Sequence, residues 1–193
     1  MRTFCITIFI LSSICCFGQE NCFENCNNNF EKSTLAFPEK NQAILDGLIG
    51  CRAPDFKVQT MSGETLSLSA LKGKIVVLNF WFIECAPCIA ELPALNMLVE
   101  TYKGEDVVFI AFARNDSESL NDFRREYDFK YKIVSSVYSP EKKYCMLGGW
   151  PTNIVIDKNG IVRKIFTGGY TDERAKTYSY QELKPLIDEY LLK

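Results

Sequence analysis

The stretch Ile75-Val76-Val77-Leu78-Asn79-Phe80-Trp81-Phe82-Ile83-Glu84-Cys85-Ala86-Pro87-Cys88 decides how this chain folds. Its first half is an apolar, β-branched run, the pattern of a strand in the middle of a sheet covered on both faces. After Cys88, the residues from Ile89-Ala90-Glu91-Leu92 onward take up helical spacing. A Cys-x-x-Cys pair therefore falls where a strand gives way to a helix, and the arrangement predicts a redox dithiol. Cys85 would sit at the helix N-terminus, where unpaired N–H groups and the macrodipole favour a thiolate. Cys88 lies about one turn along, close enough to resolve a mixed disulfide. Pro87 suits a first-turn position, because its missing N–H has no helical partner there.

Outward from this stretch, the chain alternates strand and helix signals. Phe56 and Val58, then Leu66 and Leu68, read as short strands joined across Ser62-Gly63. A long helix is expected over 86–102, kinked at Pro93, which cannot donate to the preceding turn. Val107 to Ala113 is a second buried strand, and the helix between makes a parallel βαβ unit. Asp116 caps a helix running to about Tyr127. Tyr131 to Ser135 is a candidate edge strand, and Pro140 to Met146 a short helix. Strands over 152–157 and 161–167 form a hairpin across Asn159-Gly160. The closing helix is expected to start at Ser179 or Tyr180.

Composition narrows the chemistry. The 193 residues suffice for one domain with extensions, and a net charge of −2 gives no reason to expect nucleic acid as partner. The chain has no histidine, which removes Ser-His and Cys-His catalysis and His-ligated metal. Nine cysteines are many for a reducing cytosol. Residues 1–18 have the makeup of a secretory signal: Arg2, then a mostly apolar run, then Cys16-Phe17-Gly18 before Gln19. Cleavage after Gly18 gives a secreted or periplasmic chain; an uncleaved anchor, or lipidation at Cys15 or Cys16, gives a tethered one.

Residues 19–48 read as a polar leader with a short helix from Glu39, and the asparagine-rich part to Lys32 is expected to be mobile and to build no core. Cys22 and Cys26 have three readings: a local disulfide, unrelated or intermolecular thiols, or a second working redox pair. Cys51 and Cys145 either bridge one another or stay as buried thiols. Residues 49–193 form the main domain.

The pattern Phe80-Trp81-x-x-x-Cys85-x-Pro87-Cys88-x-x-Glu91-x-Pro93 resembles the thioredoxin-fold disulfide reductases of the TlpA/ResA type. Three further segments resemble the same family in the same order: Ala53-Pro54-Asp55-Phe56 its opening hairpin, Trp150-Pro151-Thr152 its cis-proline loop, and Ile156-Asp157-Lys158-Asn159-Gly160 its final hairpin. The resemblance implies an α/β, thioredoxin-like fold: a central mixed sheet flanked by helices, with an N-terminal β-hairpin extension. It implies a thiol:disulfide oxidoreductase acting on protein disulfides, including apocytochromes c, and recharged by a membrane thiol reductant. No cofactor is expected beyond the Cys85–Cys88 disulfide itself, and no metal.

The residues around the dithiol set further expectations. Ala86-Pro87 is close in character to the spacer of reducing thioredoxins, near ~−270 mV. Glu84 stands where the family usually has tryptophan; its charge either opposes thiolate formation at Cys85 or simply faces water. Asn79 occupies the place of the buried aspartate of many thioredoxins and cannot take a proton. Glu91 is the candidate proton acceptor for Cys88, against the alternative of a helix-surface carboxylate. Pro151 should be cis beside the disulfide, with Trp150 and Thr152 lining a substrate groove, and Trp81 should be both core and site wall. Two other functions stay open: a thiol peroxidase, which Ile83 and Glu84 ahead of Cys85 do not favour, and a binding module whose dithiol is inert.

Overall fold

The structure, a computed structural model, describes residues 22–24, 26, 39–144 and 149–193. The expected signal segment 1–18, most of the leader and Cys145 lie outside the described residues. Helix α1 (Glu39–Asp46) precedes a hairpin of β1 (Lys57–Gln59) and β2 (Thr65–Ser67). Strand β3 (Ile75–Trp81) then leads into two consecutive helices, α2 (Ala86–Ala90) and α3 (Leu92–Thr101). They are followed by β4 (Val107–Ala113), α4 (Ser117–Glu126), β5 (Lys132–Val134), β6 (Thr152–Ile156), β7 (Val162–Thr167) and α5 (Ala175–Leu191).

The main sheet has the order β5-β4-β3-β6-β7, parallel from β3 to β5 and antiparallel through β6 and β7. Side chains alternate across the central strand, and both faces are buried. Ile75, Val77 and Trp81 share a core with Leu92, Leu95 and Leu98 of α3, Leu120 and Phe123 of α4, and Leu183 and Ile187 of α5. Val76, Leu78 and Phe80 share the opposite core with Phe56, Val58 and Leu66 of the hairpin and with Tyr144. This two-sided burial is why β3 has no polar alternation. The sheet edges are also partly covered. Met61 N–H donates to Ile133 O (2.7 Å) at β5, and residues 50–53 exchange backbone hydrogen bonds with Gly160 and Val162 at β7.

Three elements differ from the sequence expectation. The single helix over 86–102 is two helices, with Glu91 (φ −84°, ψ −9°) ending α2 and capping α3. Pro93 is the cause: it has no N–H to give and its ring crowds the carbonyl one turn back, which is the interruption expected there, while Glu91 N–H still donates to Pro87 O (3.2 Å) and Glu91 O still accepts from Leu95 N–H (3.1 Å). Helix α5 begins at Ala175, before Ser179, because Asp172 organises its start, accepting from Arg174 N–H (3.0 Å) through its carboxylate and from Ala175 N–H (2.9 Å) through its carbonyl. The short helix expected over 140–146 is a 3₁₀ turn, Glu141–Tyr144, as far as the described residues extend.

The leader is the larger correction. Cys22 forms a disulfide with Cys51. Phe23 is only 7% exposed and sits edge-on to Tyr144 at 5.6 Å. Cys26 is buried and also disulfide-bonded. The local Cys22–Cys26 bridge and the Cys51–Cys145 bridge are both excluded, and the leader contributes to the core after all. Its sequence gave no hint, because one phenylalanine has no periodicity; only the tertiary pairing of Cys22 with Cys51 brings it onto the sheet.

The Cys22–Cys51 bond closes 29 residues of separation. A Cys22→Ser/Cys51→Ser variant is expected to lose about 3–4 kcal/mol in urea unfolding with the active dithiol unchanged. A loss under about 1 kcal/mol would show that the leader adds little stability.

Candidate active site

The site grows from the turn between β3 and α2. Cys85 has extended backbone (φ −84°, ψ 98°) and caps α2, and its Sγ accepts from Cys88 N–H at 3.3 Å. Pro87 lies in the first turn of that helix. Cys85 and Cys88 are joined as a disulfide, and both are buried beneath the surface on the helical face of the sheet. A sulfur at this position faces the helix N–H groups, which would stabilise its thiolate after reduction. Trp81 is fully buried against Phe123 (4.9 Å) and Phe129 (5.4 Å), so it is a core residue shared with the two cysteines.

Behind the dithiol lies a polar cluster in an otherwise apolar layer. Glu91 is 2% exposed, which rules out the helix-surface alternative. Its carboxylate accepts from Asn79 Nδ2 (2.9 Å), from Asn153 Nδ2 (3.4 Å to each oxygen) and, in a short bond, from the Ser179 hydroxyl of α5. Asn79 Nδ2 also donates to Asn153 Oδ1 at 3.1 Å, the two residues being directly paired across β3 and β6. Burial pushes the Glu91 carboxyl up to about 7, against the opposing pull of the Ser179, Asn153 and Asn79 hydrogen bonds. Desolvation wins because neutral donors only partly replace water around a charge. The result is a carboxyl pushed up towards neutrality, one turn beyond Cys88.

The outer rim is built by three loops. The Trp150–Pro151 peptide is cis. Pro151 O accepts from Gly168 N–H (2.8 Å), and the Thr152 hydroxyl donates to Gly149 O (2.7 Å), which fixes the loop at both ends. Gly169 lies between Pro151 and Pro87, since a Cβ built there would sit 3.4 Å from one ring and 3.5 Å from the other. The half-buried Trp150 packs edge-on to Phe82 at 5.9 Å, and the exposed Arg114 guanidinium covers Trp150 at 4.8 Å. Arg114 also lies 3.9 Å from Glu141. Glu84 is exposed, and both of its oxygens accept from Asn115 Nδ2 (3.3 and 3.1 Å).

Sequence reasoning missed Asn153, Ser179, Asn115 and Arg114. Asn153 carried a signal: it is the one amide inside Thr152–Ile156, as Asn79 is inside Ile75–Trp81. Two amides in buried strands need partners, and each other is the simplest. Ser179 and Asn115 carried none, being ordinary polar residues in polar surroundings.

Comparison with known proteins agrees with this geometry. Residues 49–165 match the AhpC/TSA family. The chain is 35% identical over 138 residues to the thiol-disulfide oxidoreductase ResA of Bacillus cereus, covering 71% of this chain and 79% of that one. It is 34% identical over 125 residues to the thioredoxin-like protein YneN of Bacillus subtilis, covering 63% and 73%. Among solved structures, a thiol:disulfide interchange protein of the thioredoxin family from Chlorobium tepidum superposes with a TM-score of 0.59 at 23% identity, over 72% of this chain and 95% of that one. The chain belongs to the AhpC/TSA family and, within it, to the thioredoxin-fold thiol-disulfide oxidoreductases of ResA type.

Glu91 makes the fold sensitive to pH. Its folded value, near 7, lies above the ordinary 4.5, so the folded state holds a proton that the unfolded chain releases between those values. Stability contributed below pH 4.5 is therefore lost as pH rises towards 7, by on the order of 3 kcal/mol. Glu91→Gln should flatten this slope in chemical unfolding; an unchanged slope would assign the titration elsewhere. Ser179→Ala removes a bond that favours the charged form, so the Glu91 midpoint should move upward in carboxyl-resolved NMR titration. At Gly149, a Cβ would run into the Thr167 side chain, 2.7 Å from its Cβ and 2.9 Å from its Cγ2. Gly149→Ala is thus expected to displace the cis-proline loop and cut disulfide-exchange rates about tenfold, on the scale of small misplacements at reacting centres.

Proposed function

We propose that this chain is an extracytoplasmic reductant of protein disulfides. The observation that carries the disulfide-exchange chemistry is the Cys85–Cys88 pair at the start of α2, with the buried Glu91 one turn beyond Cys88. In the reduced form, the Cys85 thiolate attacks one sulfur of a substrate disulfide, and the other substrate sulfur leaves as thiolate. Glu91 takes the proton of Cys88, whose thiolate then attacks Cys85 Sγ and displaces the second substrate sulfur. Two electrons pass from the dithiol to the substrate, and the Cys85–Cys88 disulfide is left to be recharged.

Several features support the direction of flow. The Ala86-Pro87 spacer lacks the histidine with which oxidising relatives hold their thiolate, and Glu84 adds a negative charge beside Cys85. The signal-like segment 1–18 and the Cys22–Cys51 disulfide favour a compartment outside the cytosol, whether the chain is freed after Gly18 or tethered. Among the described residues no helix is long and apolar enough to cross a membrane. The Trp150–Pro151 loop would receive an extended substrate segment, while Thr152, expected to line the groove, is 2% exposed and spends its hydroxyl on Gly149 O; apocytochromes c are among the candidate substrates and a membrane thiol reductant is the electron source. Of the alternatives, an inert dithiol leaves the buried Glu91 without a purpose.

The deciding measurement is the reduction potential of the Cys85–Cys88 pair in protein starting at Gln19. A value of about −250 mV or lower is expected for a reductant, whereas one above about −150 mV would mean that the protein makes disulfides.

A further inference from the structure

We propose that Glu84 sets the substrate preference of the dithiol, selecting protein disulfides in which a lysine or arginine flanks the attacked cysteine. The inference rests on the reading of the site as a disulfide reductase. Glu84 precedes Cys85 directly and is exposed. Its carboxylate does not swing freely: Asn115 Nδ2 holds both oxygens, while Asn115 Oδ1 accepts from Ile83 N–H at 2.9 Å. One amide thus ties the β3–α2 turn to the end of β4 and tethers the carboxylate of the residue next to Cys85.

The other charges of the rim are already engaged. Arg114 covers Trp150 and lies against Glu141, and Lys143 donates to Asp55 O (3.1 Å). Among the described residues no cation forms an ion pair with Glu84. The carboxylate is therefore fixed in direction, with its charge unmatched.

Geometry determines where the matching cation must come from. Attack requires the substrate sulfur to touch Cys85 Sγ. An extended substrate advances about 3.3 Å per residue, so the residue adjoining its cysteine passes the residue adjoining Cys85. A lysine or arginine there gains a partner held in place, and a glutamate meets a like charge that cannot turn away. Arg114, the cation lying over the rim aromatics Phe82 (5.9 Å) and Trp150 (4.8 Å), already faces Glu141 at 3.9 Å, so Glu84 carries the unmatched charge.

The test uses two disulfide-bonded peptides, identical except for lysine or glutamate next to the cysteine, reduced by the full protein in its dithiol form. The ratio of their kcat/KM values isolates docking, because any effect of Glu84 on the Cys85 thiol acts on both peptides equally. Wild type is expected to favour the lysine peptide about fivefold at low ionic strength, falling with added salt. Glu84→Gln should bring the ratio close to one, and Glu84→Lys should invert it. A wild-type ratio of one, or a preference that survives Glu84→Gln, overturns the proposal while leaving the reductase reading intact. Failure to reduce either peptide, with the dithiol intact by thiol titration, overturns both.

Discussion

Burial of β3 on both faces is the constraint from which the site follows. Seven consecutive buried residues, Ile75 to Trp81, fix the strand at the centre of the sheet, between a parallel and an antiparallel neighbour. A strand so placed cannot slip by one residue without exchanging its two cores. The turn at its C-terminal end is therefore held to the precision of the core, and Cys85 is set at the start of α2 by packing that begins ten residues earlier. The redox chemistry inherits that rigidity.

Within this apolar frame, the Glu91 cluster is an expensive feature. A carboxyl taken out of water loses several kcal/mol unless donors replace the solvent. Here three donors come from three elements: Asn79 on β3, Asn153 on β6 and Ser179 on α5. Pro93 has a part too, because the break it forces between α2 and α3 falls at Glu91 itself. The partial compensation leaves the group poised near neutrality instead of firmly ionised. Full compensation would give an ordinary carboxylate, and none would give a permanent acid.

The two faces of the sheet divide the labour. The helical face carries the dithiol, the Glu91 cluster and Trp81. The other face is closed by the hairpin, by Tyr144 and by a leader held through Cys22–Cys51. The two disulfides thus stand in different places, Cys85–Cys88 at a helix N-terminus and Cys22–Cys51 at a distant edge. The distinction lies in surroundings rather than in spacing: Cys85 meets a helix N-terminus, whereas Cys51 sits in backbone pairing with Val162.

The sequence by itself determined the strand–turn–helix that carries Cys85 and Cys88, the succession of strands along the chain, the hairpin at Asn159-Gly160 and the place of Glu91 one turn beyond Cys88. Each of these is local: a run of β-branched residues, a dipeptide with a strong turn preference, a spacing of one helical turn. Tertiary structure alone decided that Glu91 is buried, that Asn153 and Ser179 hold it, that Asn115 tethers Glu84, and that Cys22 pairs with Cys51. Those features join residues far apart in the chain, Asn79 with Asn153 and Glu91 with Ser179, and no local preference encodes such a meeting. A carboxylate one turn from a cysteine reads the same on a surface as in a core; desolvation, which pushes its pKa up, exists only once the sheet and α5 have closed over it.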